Sequence, residues 1–167
     1  MKTIIRVIDF INDWVGKIAS FLMIPLVGIG AFEVISRYVF NKPTIWAWEV
    51  NTQVFAAIIM LGGGYTFLHD GHIRVDVLTN LLSERARLYF DLLTPIFLFS
   101  GMYVIVVYGW KFAYSAFEMR ETFSTILGSP SWPMKMLIPI GGFFLSLQGI
   151  SEFLKTLIKI LHFEDKE

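Results

Sequence analysis

Four long apolar stretches dominate the chain and set its class. Val50–Leu68 and Leu92–Trp110 each run 19 residues without a charge. Ile18–Phe32 and Met136–Ser151 run 15 and 16 residues and continue into mixed flanks. A helix rises about 1.5 Å per residue, so roughly 20 residues cross a hydrocarbon core about 30 Å thick. The pattern predicts an all-α integral membrane protein forming a single domain over 1–167. Spans are expected over roughly 14–36, 48–68, 90–112 and 134–155, joined by short interfacial segments.

Composition narrows the function classes. Hydrophobic residues make up 55% of the chain, and mean hydropathy is +0.61. Acids and bases balance at 14 each, which gives no argument for nucleic acid or a polybasic lipid-binding tail. With no cysteine, disulfides, thiolate metal sites and cysteine nucleophiles are excluded.

Ahead of the first apolar stretch, Ile4, Ile8, Ile11 and Val15 share one helical face, and Lys2, Arg6, Asp9 and Asp13 share another. This reads as an amphipathic interfacial segment rather than a cleavable signal, since no small-residue cleavage site follows the apolar run. With the N-terminus inside, the inner side carries nine basic residues and the outer side five. The excess places both termini in the cytoplasm. Trp46, Trp48, Trp110 and Trp132 then lie on the outer side, with Trp14 inside. Four outer indoles fit an aromatic belt at the headgroup level, or a wall against a partner protein.

Four segments hold the polar residues that bear on function. In the first, Glu33 and Arg37 are four apart at the end of span 1 and can pair. Asn41-Lys42-Pro43 then ends the helix and turns the chain. Trp46 and Glu49 follow on one face of a new helical start. These residues suit either an internal ion pair or a contact with another polypeptide. In the second, Gly62-Gly63-Gly64 interrupts span 2. Small residues allow close helix approach in membranes, the preferred reading over an unwound ion-binding break.

The third segment is His69-Asp70-Gly71-His72-Ile73-Arg74-Val75-Asp76. Two histidines near two aspartates invite a metal, but no second cluster completes a site. A turn at the inner membrane surface is preferred, with Ser83-Glu84 capping the next helix. The fourth runs from Glu118 through Glu121 and Ser124 to Pro130-Ser131-Trp132-Pro133. This is the longest loop, and its prolines exclude helix. Pro139 is placed to kink span 4. Gln148 lies deep in that span, where a side-chain amide needs an interhelical partner. No nucleophile sits beside a base and no phosphate-cradling loop occurs, so neither an enzyme nor a cofactor is expected.

In this order, these elements resemble the small membrane (Q-type) subunit of tripartite ATP-independent periplasmic (TRAP) transporters. The likeness is carried by Glu33 to Glu49 with Ser36-Arg37-Tyr38-x-Phe40-Asn41-x-Pro43, and by Gly71-His72-Ile73-Arg74-Val75-Asp76. Glu121 and Ser124, Pro130–Pro133, Pro139-x-Gly141 and Gln148 add to it. It covers roughly residues 10–155, and the His-Ile-Arg-Val-Asp wording is nearest the branch labelled mannitol/chloroaromatic.

The resemblance implies a scaffold subunit of a secondary importer in the bacterial inner membrane. It would pack against a large permease subunit that carries substrate and sodium and is fed by a periplasmic binding protein. Glu33, Arg37, Asn41, Pro43, Trp46, Glu49, Gly62, Gly63, Glu121, Trp132 and Gln148 would then be interface or structural residues. His72, Arg74 and Asp76 would brace the inner end of span 2. The alternative is a self-contained small multidrug-type antiporter using Glu33, which requires that carboxylate near the bilayer centre. A haem-bearing anchor is disfavoured because His69, His72 and His162 all fall at or beyond helix ends.

Overall fold

The computed structural model describes residues 1–69 and 84–164, with side chains described for 1–69 and 97–161. Five helices account for nearly all of it, and among the described residues there is no strand beyond one isolated bridge, Thr122 to Pro130. They are α1 (Lys2–Phe21), α2 (Met23–Tyr38), α3 (Ala47–Leu68), α4 (Glu84–Glu118) and α5 (Trp132–Glu164).

α1 and α2 form one nearly continuous rod broken at Leu22. Pro25 accounts for the break: it has no N–H to donate to the preceding turn, and its ring crowds the carbonyl four residues back. Leu22 N–H accordingly turns to the Ala19 carbonyl at 3.1 Å, a tighter bond than the helix would use.

Three segments are long and apolar enough to cross a membrane: Lys2–Tyr38, Phe97–Glu118 and Trp132–Leu161. α3, expected as a span over 48–68, is not among them. Its 22 residues suffice in length, but its first two turns carry Glu49, Asn51 and Gln53. The helices also overrun the expected spans, since α4 and α5 have 35 and 33 residues, about 50 Å each.

α5 sits at the centre. It packs on α4 along one side and on α3 along the other, and α1 covers the groove between the C-terminal halves of α3 and α5. Small residues set these approaches. Gly141 leaves room only for the Met60 carbonyl of α3, and Gly142 meets Ile105 and Val106 of α4. Gly64 faces Asn12, and Gly16 faces Tyr65. Membrane bundles associate through such close backbone approach because lipid is as apolar as the helices themselves. α5 continues through Pro139, which lies against Gly109 of α4.

The first helix turns differently from its sequence pattern. Ile8 is buried, together with Asn12, Gly16 and Ala19, whereas Ile4 and Ile11 are exposed. α1 therefore has three sides. One faces the bundle, one is polar (Lys2, Arg6, Asp9, Asp13, Lys17), and one is apolar and uncovered (Ile4, Val7, Ile11, Trp14, Ile18).

Candidate functional site

Polar side chains gather at two levels of the bundle. Along α3 the ends of the helix, Trp46 and His69, lie roughly 35 Å apart at about 1.5 Å per residue. Along α5, Trp132 and Lys155 have the same separation. Each distance slightly exceeds the hydrocarbon thickness of a bilayer, about 30 Å.

At the first level, Glu33 closes the loop that follows α2. Its Oε1 accepts from Arg37 Nη2 at 2.6 Å and Nε at 3.2 Å. Its Oε2 accepts from the Thr44 backbone N–H at 3.1 Å and from the Thr44 hydroxyl. Asn41 turns the chain with φ 54°, a left-handed conformation that Asn tolerates, and the Lys42 N–H returns to the Ser36 carbonyl at 2.9 Å. Pro43 follows this turn, and Trp46 stacks on Phe32 with ring centres 6.0 Å apart. Glu33, Arg37, Asn41, Pro43 and Trp46 thus belong to one folded loop. Glu33 is thus engaged by Arg37 and Thr44 at the α2 terminus.

Glu49 does something the sequence did not disclose. It is 2% exposed and reaches across to the loop between α4 and α5. Its Oε2 accepts from the Ser129 N–H at 3.0 Å and from the Ser129 hydroxyl, and Gln53 Nε2 donates to that hydroxyl oxygen at 3.3 Å. Glu49 Oε1 has no hydrogen-bond partner among the described residues.

The same loop is held at its base by Glu121. Its carbonyl accepts from the Ser131 N–H at 2.9 Å, and its carboxylate pairs with Lys135 at 2.5 Å. Lys135 lies over the Phe112 ring at 4.1 Å, and Trp132 packs edge-on against Phe117 at 5.3 Å. These contacts present the tip outward, with Ile126 89% exposed.

At the second level, Gln148 finds the partners its depth requires. Fully buried, it accepts from Asn12 Nδ2 at 3.0 Å and donates to Asp9 Oδ1 at 3.0 Å. Ser151 donates to the same oxygen at 2.6 Å, and Lys155 pairs with Asp9 Oδ2 at 2.8 Å. Asp13 pairs with Lys17 at 2.6 Å and lies 3.8 Å from His69 Nε2. Asn12 and Asp9 were missed in the sequence as Gln148's partners. The available signal was a lone amide, Asn12, on the line Ile8–Asn12–Gly16–Ala19.

The three glycines of α3 divide. Gly64 carries the close packing expected of all three, whereas Gly62 and Gly63 have open space where a side chain would stand. They lie on a face with Trp48, Phe55 and Ile59, each more than half exposed. His72, Arg74, Asp76 and Ser83 lie outside the described residues. Among the described residues, no three His, Asp or Glu come together to hold a metal.

The sequence profile described as "Tripartite ATP-independent periplasmic transporters, DctQ component" matches residues 26–159, most of the chain. The chain belongs to the DctQ family. Its resemblance to TRAP small subunits is therefore a family relationship. This DctQ-family chain is similar to the sialic acid TRAP transporter small permease protein SiaQ of Vibrio cholerae, with 25% identity over 145 residues. That match covers 83% of this chain and 80% of SiaQ. It is also similar to the C4-dicarboxylate TRAP transporter small permease protein DctQ of the same organism, 25% identical over 120 residues. Here the match covers 72% of this chain and 52% of that protein. A third match is the sialic acid TRAP transporter permease protein SiaT of Haemophilus influenzae, 28% identical over 104 residues. It takes in 62% of this chain but only 16% of SiaT, so this chain spans a minor part of that longer permease.

Proposed function

We propose that this chain is the fixed small subunit of a TRAP importer in the bacterial inner membrane, packed against a large permease subunit that carries substrate and sodium. A periplasmic binding protein delivers the solute. The chain crosses four times, with α1–α2, α3, α4 and α5 as spans and both termini in the cytoplasm. α3 serves as a span despite its polar start because Ser129 of the loop between α4 and α5 engages Glu49 Oε2 and Gln53.

The observation that carries the partner reading is the open face at Gly62 and Gly63. A glycine inside a helix costs about 1 kcal/mol relative to alanine in water, and facing lipid it gains nothing in return. Against a helix of another subunit, the same pair allows backbone contact. Family membership supports a permease as the source of that helix, as does the similarity to a segment of the longer SiaT permease. Within the bundle the paired residues (Glu33–Arg37, Glu49–Ser129, Gln148–Asn12) fix the shape of the subunit and carry no substrate.

The reading is tested by reconstitution. This chain and its permease are placed in proteoliposomes, together and separately, with the binding protein and a sodium gradient. Uptake is expected only when both chains are present. Uptake by this chain alone contradicts the proposal.

A further inference from the structure

At the inner level the polar side of α1 and the end of α3 line a shallow, open concavity of about 510 Å³. Its lining includes Lys2, Arg6, Asp9, Asp13, Phe10 and Leu68. The four charged residues are not equivalent. Asp9 is occupied by Lys155, Ser151 and Gln148, and Asp13 is occupied by Lys17 and faces His69. Lys2 and Arg6 are exposed and have no carboxylate partner among the described residues. Among the described residues, the concavity therefore offers two cations without a carboxylate partner, beside acids that already have partners.

Next to the cations, Phe10 is 63% exposed, and Trp14 lies edge-on to it with ring centres 6.1 Å apart. Together with Val7, Ile11 and Ile18 they form an uncovered apolar track leading from the concavity toward the bundle's middle.

We infer that this concavity binds the phosphate of an anionic phospholipid. Lys2 and Arg6 hold the phosphate, and the acyl chains lie along the Phe10–Trp14 track. Arginine suits the phosphate because its planar fork donates two parallel hydrogen bonds. The apolar track selects a lipid over a soluble phosphate. The inference rests on the membrane placement proposed above, and it needs no permease.

The test uses the full chain, delipidated in mild detergent, with any subunit that accompanies it. Phosphatidylglycerol, phosphatidylcholine or inorganic phosphate is added, and thermal midpoint and bound lipid by native mass spectrometry are read. Phosphatidylglycerol is expected to bind and raise the midpoint. The Lys2→Gln/Arg6→Gln variant is expected to lose affinity by on the order of tenfold or more. Both positions are exposed, so the variant's own midpoint without lipid is expected to match wild type, and this is checked first. A shift from inorganic phosphate equal to that from phosphatidylglycerol overturns the lipid as the source. Equal shifts from phosphatidylcholine, or an undiminished response in the variant, overturn the site. An absent permease would leave the lipid measurement intact on the chain alone, so the two proposals fail separately.

Discussion

Asn12 Nδ2 donates to Gln148 Oε1 at 3.0 Å across 136 residues of sequence, and neither side chain is exposed to solvent. This amide pair joins the first helix to the last at the level where Asp9, Ser151 and Lys155 also meet. Replacing Gln148 by Leu removes the partner of Asn12 and one donor to Asp9. Interhelical hydrogen bonds in membranes contribute about 0.6–2 kcal/mol each. At roughly 2–4 °C per kcal/mol, the thermal midpoint in detergent is expected to fall by several degrees. Asn12→Leu alone should give a comparable fall. The double variant should cost less than the two single changes added together, as a double-mutant cycle would measure.

Gly64 and Gly62 make a contrasting pair. A leucine at 64 collides with Asn12 and the Phe144 carbonyl, so Gly64→Leu is expected to lower the yield and midpoint of the isolated chain. Overpacking of this kind costs about 1–3 kcal/mol or more. At Gly62 a side chain meets nothing within the chain, so Gly62→Leu should leave its midpoint unchanged or raise it. The same variant should recover less permease in a pull-down. Normal permease recovery with Gly62→Leu would remove the α3 face as the docking surface.

Much of this bundle was legible in the sequence, for reasons the residues make plain. Hydrophobic run length fixes helices in lipid because no other open structure satisfies the backbone there. Glu33 and Arg37 pair through local helical spacing, and the need of Gln148 for a partner followed from its depth. What stayed hidden depends on distant contacts. Glu49 meets Ser129 across 80 residues, and nothing in local periodicity announces that. The distinction between Gly64 and its two neighbours depends on which way α3 faces. An almost uniformly apolar helix gives too weak a periodicity to reveal its orientation. The break at Leu22 had its signal in Pro25, three residues on.

Ser129 tests the latch to Glu49. Ser129→Ala removes a hydroxyl that donates to Glu49 and accepts from Gln53, while its backbone N–H remains. Leaving a buried acceptor short of a partner costs about 1–3 kcal/mol. The loop between α4 and α5 is therefore expected to be cleaved faster in limited proteolysis, with little change at the opposite end of the bundle. Unaltered cleavage would mean that the Glu121–Lys135 base holds the loop unaided.

Glu33 separates a subunit from an antiporter. Its carboxylate serves Arg37 and Thr44 at the end of α2. Glu33→Gln is expected to retain uptake by the assembled transporter, with at most a modest loss of yield. Abolished uptake in a normally assembled complex would assign Glu33 a direct role in transport.

Orientation is accessible because the chain has no cysteine. Ile126 is 89% exposed and Leu161 is 51% exposed, at opposite ends of the bundle. In intact spheroplasts, a membrane-impermeant maleimide should label Ile126→Cys, and should label Leu161→Cys only after the membrane is opened. The reverse pattern would invert the proposed topology.

The central claim is that this chain works only as part of a larger permease. It is tested most directly by tagging the chain in its native host, extracting it in mild detergent, and identifying its companions by mass spectrometry. A stoichiometric large permease subunit is expected, retained through a second purification step. Recovery of the chain alone or as a self-dimer, with transport activity after reconstitution, would contradict the claim.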